Sequence, residues 1–328
     1  MTRQKILVVG GAGFIGSHTA KLLHRQGFEP VVYDNLSTGH RTSVRWGPFI
    51  EGDILDTRRL ADVIETHQPA AIIHFAASAY VGESVEKPAK YYANNVGGTL
   101  SVLEASRSAG ADKLIFSSSC AIYGVPTRLP IRECEMPQPI NPYGRTKLIA
   151  EHMLADYSAA YGLHYVALRY FNASGADPEQ ELGEWHDPET HLIPRALLAT
   201  SGSIETLDVY GSDYDTPDGT CVRDYIHVTD LARAHVLAVE YLLAGGENLA
   251  VNLGTGRGTS IKEIVSAIER VCGRQVPVAM RVRRPGDPPT LYAASDLAAE
   301  KLGFHAVHSD IETIIRTAAP FFGLEVRG

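Results

Sequence analysis

Tyr143 and Lys147 stand four residues apart in the segment Asn141-Pro142-Tyr143-Gly144-Arg145-Thr146-Lys147. On a helix that spacing puts a phenol and an ammonium on one face. A cation held beside a phenol favours the phenolate and lowers a pKa of about 10, so the pair could take a proton from an alcohol near neutral pH. Hydride leaves a carbinol carbon only as its hydroxyl proton is removed, so such a base belongs beside a hydride acceptor. The same spacing also arises by chance on exposed helix faces, and the reading needs support elsewhere in the chain. Ser119, the last of Ser117-Ser118-Ser119, offers a hydroxyl for the substrate oxygen, with a plain serine-rich turn as the alternative.

The support lies at the other end of the chain. Gly10-Gly11-Ala12-Gly13-Phe14-Ile15-Gly16 follows a short apolar run and opens a helical pattern. Gly10, Gly13 and Gly16 let the backbone turn tightly and approach a pyrophosphate, whose charge then meets the free N–H groups of a helix start. A glycine-rich turn alone is weak evidence. Asp34, at the end of the next apolar run, strengthens it, because a carboxylate there can accept from ribose hydroxyls and repels a 2′-phosphate. The cofactor expected is therefore NAD rather than NADP. His74, inside an apolar run, is expected to be a core residue.

These groups need a frame. Strand-like runs over 6–9, 30–33, 71–75, 113–117 and 165–169 alternate with helical patterns over 14–26, 57–67, 88–109 and 142–161. That rhythm predicts an α/β fold with a Rossmann-type doubly wound parallel sheet. Ser119 then falls at the carboxyl edge of the sheet, where ligands bind. After residue 172 the rhythm breaks into a polar stretch, which predicts an NAD-binding domain over 1–172 and a smaller α/β substrate lobe over 173–328. Parts of about 220–255 are expected to return to the first domain. Ser260 and Glu263 have the spacing of a reciprocal helix cap.

Composition narrows the function. Of 328 residues 45% are apolar and 21% charged, and the net charge of −8, with no basic cluster, argues against a nucleic-acid partner. Cys120, Cys134, Cys221 and Cys272 are scattered, so reduced thiols and no metal site are expected. No run approaches the ~20 apolar residues of a membrane span, and no signal peptide is evident, so a cytoplasmic protein is expected.

Taken together, the glycine turn, Asp34, Ser119, Tyr143 and Lys147 resemble the extended short-chain dehydrogenase/reductase superfamily. Within it the chain is similar to the UDP-glucose 4-epimerase family over nearly its whole length. The similarity is carried by Tyr33-Asp34-Asn35-Leu36-Ser37, His74-Phe75-Ala76-Ala77, Val81-Gly82-Glu83-Ser84, Leu168-Arg169-Tyr170-Phe171-Asn172 and the long segment Gly219-Thr220-Cys221-Val222-Arg223-Asp224-Tyr225-Ile226-His227. The resemblance implies NAD contacts from the glycine turn with Phe14 and Ile15, then Asp34, Asn35, Asp53, Ile54, Phe75, Ala76, Ala77, Asn94, Ser119, Tyr143, Lys147 and Phe171. It implies UDP-sugar contacts from Ser119, Tyr143, Asn172, Leu192, Tyr210, Arg223, Arg284, Asp287 and Leu291, the last gating the sugar pocket, and a homodimer formed through helices 88–109 and 142–161. Ala79 stands where some members have a lysine, and His191 where some have an asparagine. Cys120 and Ala121 stand where related dehydratases carry an acidic pair, which argues against dehydration. The implied activity is C4 epimerisation of UDP-glucose and UDP-galactose through a 4-keto sugar. Similarity to UDP-arabinose/UDP-xylose 4-epimerases keeps pentoses open. Net sugar-nucleotide oxidoreduction and a non-catalytic NAD-binding protein are the remaining readings.

Overall fold

The computed structural model describes residues 3–284 and 288–327, and Asp287 lies outside them. Six strands, β1 (Lys5–Val9), β2 (Glu29–Asp34), β3 (Phe49–Glu51), β4 (Ala71–His74), β5 (Lys113–Ser119) and β6 (His164–Tyr170), lie with the later strand Leu249–Leu253 in one sheet. Its order is Leu249–Leu253, β6, β5, β4, β1, β2, β3, and every pairing is parallel. Chain progression reverses between β1 and β4, which opens the crevice where doubly wound sheets bind ligands.

The sheet is covered on both faces, which is why its inner strands read as unbroken apolar runs. Alternate residues of β1 feed different cores. Ile6 and Val8 pack with the helix Val228–Leu243, which lies against α1 (Phe14–Arg25). Leu7 and Val9 pack with α2 (Thr57–His67) and the helices Gly98–Ser108 and Pro142–Tyr161. A separate apolar cluster joins the helices Leu192–Ser201, Ile261–Cys272 and Ile311–Ala318. The cap foreseen at the start of Ile261–Cys272 is present: Ser260 Oγ accepts from the Glu263 amide at 3.1 Å, and Glu263 accepts from the Ser260 amide at 2.7 Å.

Two features depart from the sequence reading. The three-residue β3 was not anticipated, because Phe49-Ile50-Glu51 is too short to show a period. The helical pattern over 88–109 is also not uniform: a π turn, Tyr92–Gly97, separates Pro88–Tyr91 from Gly98–Ser108. Such turns redirect side chains within a helix. Among the described residues no helix is long and apolar enough to cross a membrane.

Candidate active site

The glycine turn joins β1 to α1, and its three candidate glycines answer different demands. A Cβ on Gly10 would strike the backbone of Ala76, and one on Gly16 would run into the Gly10 carbonyl, so both are required by internal packing. A Cβ on Gly13 would meet, among the described residues, nothing nearer than the Gly10 carbonyl at 3.5 Å. Gly13 is the N-cap of α1, and no side chain caps that helix end. An uncapped N-terminus beneath open space fits an anionic group outside the chain.

Asp34 ends β2 against this turn. Its two oxygens accept from the Ala12 amide at 2.9 Å and the Leu36 amide at 2.8 Å, which fixes the carboxylate. Burial raises its pKa, and the two amides oppose that rise. Next to it Asn35 donates to Asp53 at 2.9 Å, and the other Asp53 oxygen accepts from the Leu55 amide at 2.8 Å. Ile54 is buried against Gly98. Phe75 and Ala76 both donate their amides to Val9, so Phe75, Ala76 and Ala77 continue β4 alongside the turn.

Gly144 positions the base. Pro142–Tyr161 starts with Asn141 accepting from the Gly144 amide at 2.8 Å and with proline in its first turn. A Cβ at Gly144 would collide with the Ala121 carbonyl. The helix can therefore lie directly on the turn that follows β5, which brings Tyr143 to Ser119. The Tyr143 phenol is hydrogen-bonded to Ser119 and is 9% exposed. Lys147 Nζ lies 5.9 Å from the centre of the Tyr143 ring and donates to the Ser117 carbonyl at 2.7 Å. Beside it Tyr170 shares a 2.5 Å hydrogen bond with Ser117 Oγ.

The electrostatics correct the expectation that Lys147 depresses Tyr143. Burial pushes the phenol above its ordinary value, the neighbouring Tyr170 adds to this, and the Ser119 hydrogen bond opposes it. Burial likewise pulls Lys147 down to about 7, against the attraction of Glu151. Removing both charges from water outweighs their mutual attraction at this separation. Burial thus favours the neutral phenol and makes the ammonium readier to give up its proton. Cys120, one residue beyond Ser119, is pushed up to about 12 by burial and is no thiolate nucleophile.

The supports of this pair are not evident from sequence spacing. Glu151 sits one turn beyond Lys147, accepts from Ser118 Oγ at 2.5 Å and pairs with Arg169 at 2.6 Å. Arg169 also donates to Tyr123 at 2.9 Å, and Tyr123 donates to Asn252 at 2.7 Å. Asn95, in the π turn, accepts from the Ser78 amide and donates to Thr146 Oγ1 at 3.0 Å, tying the end of β4 to the helix that carries Tyr143. Asn94 donates to Asn95 and is partly exposed. In the sequence nothing distinguishes Asn95 from Asn94, although only Asn95 is buried in the π turn.

The candidate sugar-nucleotide residues fall on separate segments. Asn172 donates to the Asp224 carbonyl at 2.8 Å. Arg223 lies beside Leu291 in register, and its charge reaches the Cys120 thiol. Phe171 and Leu291 belong to one small apolar cluster. The Arg284 guanidinium stacks 3.8 Å from the centre of the Tyr210 ring. Leu192 opens the helix Leu192–Ser201.

A parallel sheet with a glycine turn at its switch point and a buried Tyr/Lys/Ser group at its carboxyl edge defines a dinucleotide-binding α/β protein equipped for proton transfer. Residues 6–254 match the NAD dependent epimerase/dehydratase family, and the chain belongs to it. It is 56% identical over 318 residues to a UDP-glucose 4-epimerase of Rhizobium leguminosarum bv. trifolii, 97% of each chain being covered. The crystal structure of UDP-glucose 4-epimerase from Brucella ovis in complex with NAD is 74% identical, with a TM-score of 0.98 over 99% of this chain and 100% of that one. A UDP-glucose 4-epimerase structure from Stenotrophomonas maltophila, with bound NAD and formylated UDP-arabinopyranose, is 37% identical, with a TM-score of 0.94 over 98% of each chain.

Proposed function

We propose that this chain is an NAD-dependent UDP-sugar 4-epimerase that interconverts UDP-glucose and UDP-galactose through a 4-keto sugar. The observation that carries the reading is Tyr143 hydrogen-bonded to Ser119 above Lys147, in a chain of this family. The glycine turn would hold the pyrophosphate on the α1 amides, with Gly13 leaving room for it. Asp34 would accept from the adenosine ribose, and Asn35, Asp53 and Ile54 would flank the adenine side. Bound NAD supplies the acceptor for the C4 hydride and a positive charge in the pocket.

The chain's own work is proton handling. With a cation in the pocket, Tyr143 takes the C4 hydroxyl proton at its phenolic oxygen, Ser119 orients the sugar oxygen, and Lys147 stabilises the phenolate. The same phenol returns its proton when the hydride comes back to the other face. No dehydratase acid stands at Cys120 or Ala121. Arg223, Arg284 and Asn172 are assigned to the UDP moiety, since guanidinium groups suit a diphosphate. Leu291 is assigned to crowding a 2-acetamido group. UDP-xylose and UDP-arabinose are the second reading, favoured by the pentose bound in the Stenotrophomonas relative.

One preparation tests this. Purified protein, with no added NAD, is incubated with UDP-glucose, UDP-galactose, UDP-xylose and UDP-N-acetylglucosamine, and the products are separated. Hexose interconversion is expected, with little turnover of the N-acetylated sugar and a loss of about 10²–10⁴-fold in Tyr143→Phe. Stoichiometric NADH, or full activity in the variant, would overturn it. We further assign the helices around Leu100 and Tyr161, both exposed, to a dimer contact, so sedimentation of the same sample should give twice the chain mass.

A further inference from the structure

Four side chains that the proposed chemistry leaves unused converge just before the helix Leu192–Ser201. They are Glu184, His186, Glu189 and His191, and one donor atom from each lies within 4.8 Å of the others. His186 Nδ1 stands 3.4 Å from Glu184 Oε1 and 3.4 Å from Glu189 Oε2. His191 Nδ1 stands 3.1 Å from Glu184 Oε1 and 2.9 Å from Glu189 Oε1. Donors bound at about 2.0–2.1 Å to a tetrahedral ion lie about 3.3 Å apart, the spacing these contacts approach. The glutamate side chains are only 5% and 9% exposed. His186 Nδ1 is buried and meets hydrogen-bond geometry with no neighbour. Facing two carboxylates at 3.4 Å, such a nitrogen is costly unless a proton or a metal ion lies between them.

We propose that Glu184, His186, Glu189 and His191 bind one divalent transition-metal ion of the zinc class, which clips this segment over the mouth of the dinucleotide cleft. Two imidazoles and two carboxylates suit zinc, whereas magnesium and calcium prefer oxygen donors and copper(I) prefers sulfur. Two carboxylates balance a dication, so the buried site is neutral overall. Four protein donors close the coordination shell, which is the structural rather than the catalytic type.

The surroundings give the clip its purpose. The His186 ring lies 6.3 Å from that of Phe14, in the first turn of α1, and 6.2 Å from that of Tyr80. Trp185 meets His40 through its carbonyl, at 3.3 Å, and through its ring. His191 directly precedes Leu192, so the ion fixes the start of that helix relative to the glycine turn. All four are positioning residues, and the site does not depend on which sugar is turned over. In the sequence the four follow the pattern Glu-x-His-x-x-Glu-x-His, far from the scattered cysteines.

The test is metal content. Full-length protein is stripped with a chelator, loaded with zinc or cobalt(II), desalted and analysed by mass spectrometry, with cobalt absorption reporting geometry. One ion per chain and the intense visible bands of tetrahedral cobalt are expected. Glu184→Gln and His186→Ala, folded by circular dichroism, should bind more than about 100-fold more weakly, and His40→Ala, outside the set, as wild type. Wild-type protein that keeps no metal overturns the proposal and leaves an ion-pair cluster. Octahedral cobalt bands, or ligand variants that bind as tightly as wild type, overturn it equally.

Discussion

At the residue scale the informative group is Lys147. Spacing alone identified it and its partner Tyr143, because a four-residue interval on a helix fixes a shared face whatever the tertiary context. What spacing could not convey is burial. The ammonium's pKa falls from 10.5 to about 7 because its charge is removed from water. A lysine that holds its proton less tightly folded than unfolded penalises the fold fully below about pH 7, and the penalty fades as pH rises to 10.5. Lys147→Met, measured with the cofactor stripped from both proteins, should therefore gain stability relative to wild type at pH 6, on the order of a few kcal/mol. The gain should shrink at pH 9, where about 2 kcal/mol of the penalty is left and the lost hydrogen bond to Ser117, about 1 kcal/mol, offsets part of it. A difference in melting temperature that does not change with pH would show that Lys147 is not buried as a free ammonium.

At the element scale the glycine turn separates two requirements that a motif merges. Gly16 is required by the Gly10 carbonyl and Gly13 by nothing in the described chain. Gly16→Ala should thus lose about 1–3 kcal/mol of stability by overpacking. Gly13→Ala should keep its melting temperature without cofactor and bind NAD at least about tenfold more weakly. Titration of NAD against tryptophan fluorescence reads the second effect, and equal behaviour of the two variants would defeat the distinction. The doubly wound sheet was legible because its inner strands are buried on both faces. β3 and the π turn were not, since three residues show no period and a π turn keeps helical spacing on either side. The Glu151–Arg169–Tyr123–Asn252 network escaped for another reason: its members are far apart in sequence, and each is unremarkable alone.

At the scale of the whole molecule, four histidines are buried uncharged. Burial lowers His18 to about 4, His74 to about 3, His227 to about 3 and His235 to about 4, all from 6.5. Groups that hold protons less tightly when folded cost stability as pH falls below 6.5, until the folded values are reached. With four such groups the slope approaches ~5 kcal/mol per pH unit between about pH 6 and 4, against a total of roughly 5–15 kcal/mol. Urea midpoints should fall steeply over that range. His235, whose Nε2 is buried without a partner, offers the control: His235→Met should flatten the slope by about one proton, and an unchanged slope would exclude its part.

The edge strand Leu249–Leu253 has a bearing on how the molecule is made. It completes the sheet beside β6, yet residues 171–248 separate it from that neighbour. Val251 and Leu253 share a core with Ile6 and Val8, which leave the ribosome well before them. Until the later segment emerges, β6 presents a bare hydrogen-bonding edge and α1 lacks the helix Val228–Leu243. The nascent first half is therefore an unfinished layer open to pairing with other chains. Synthesis that stalls after β6 should yield a product that needs a chaperone, and a gene cut at residue 172 would encode no self-sufficient domain.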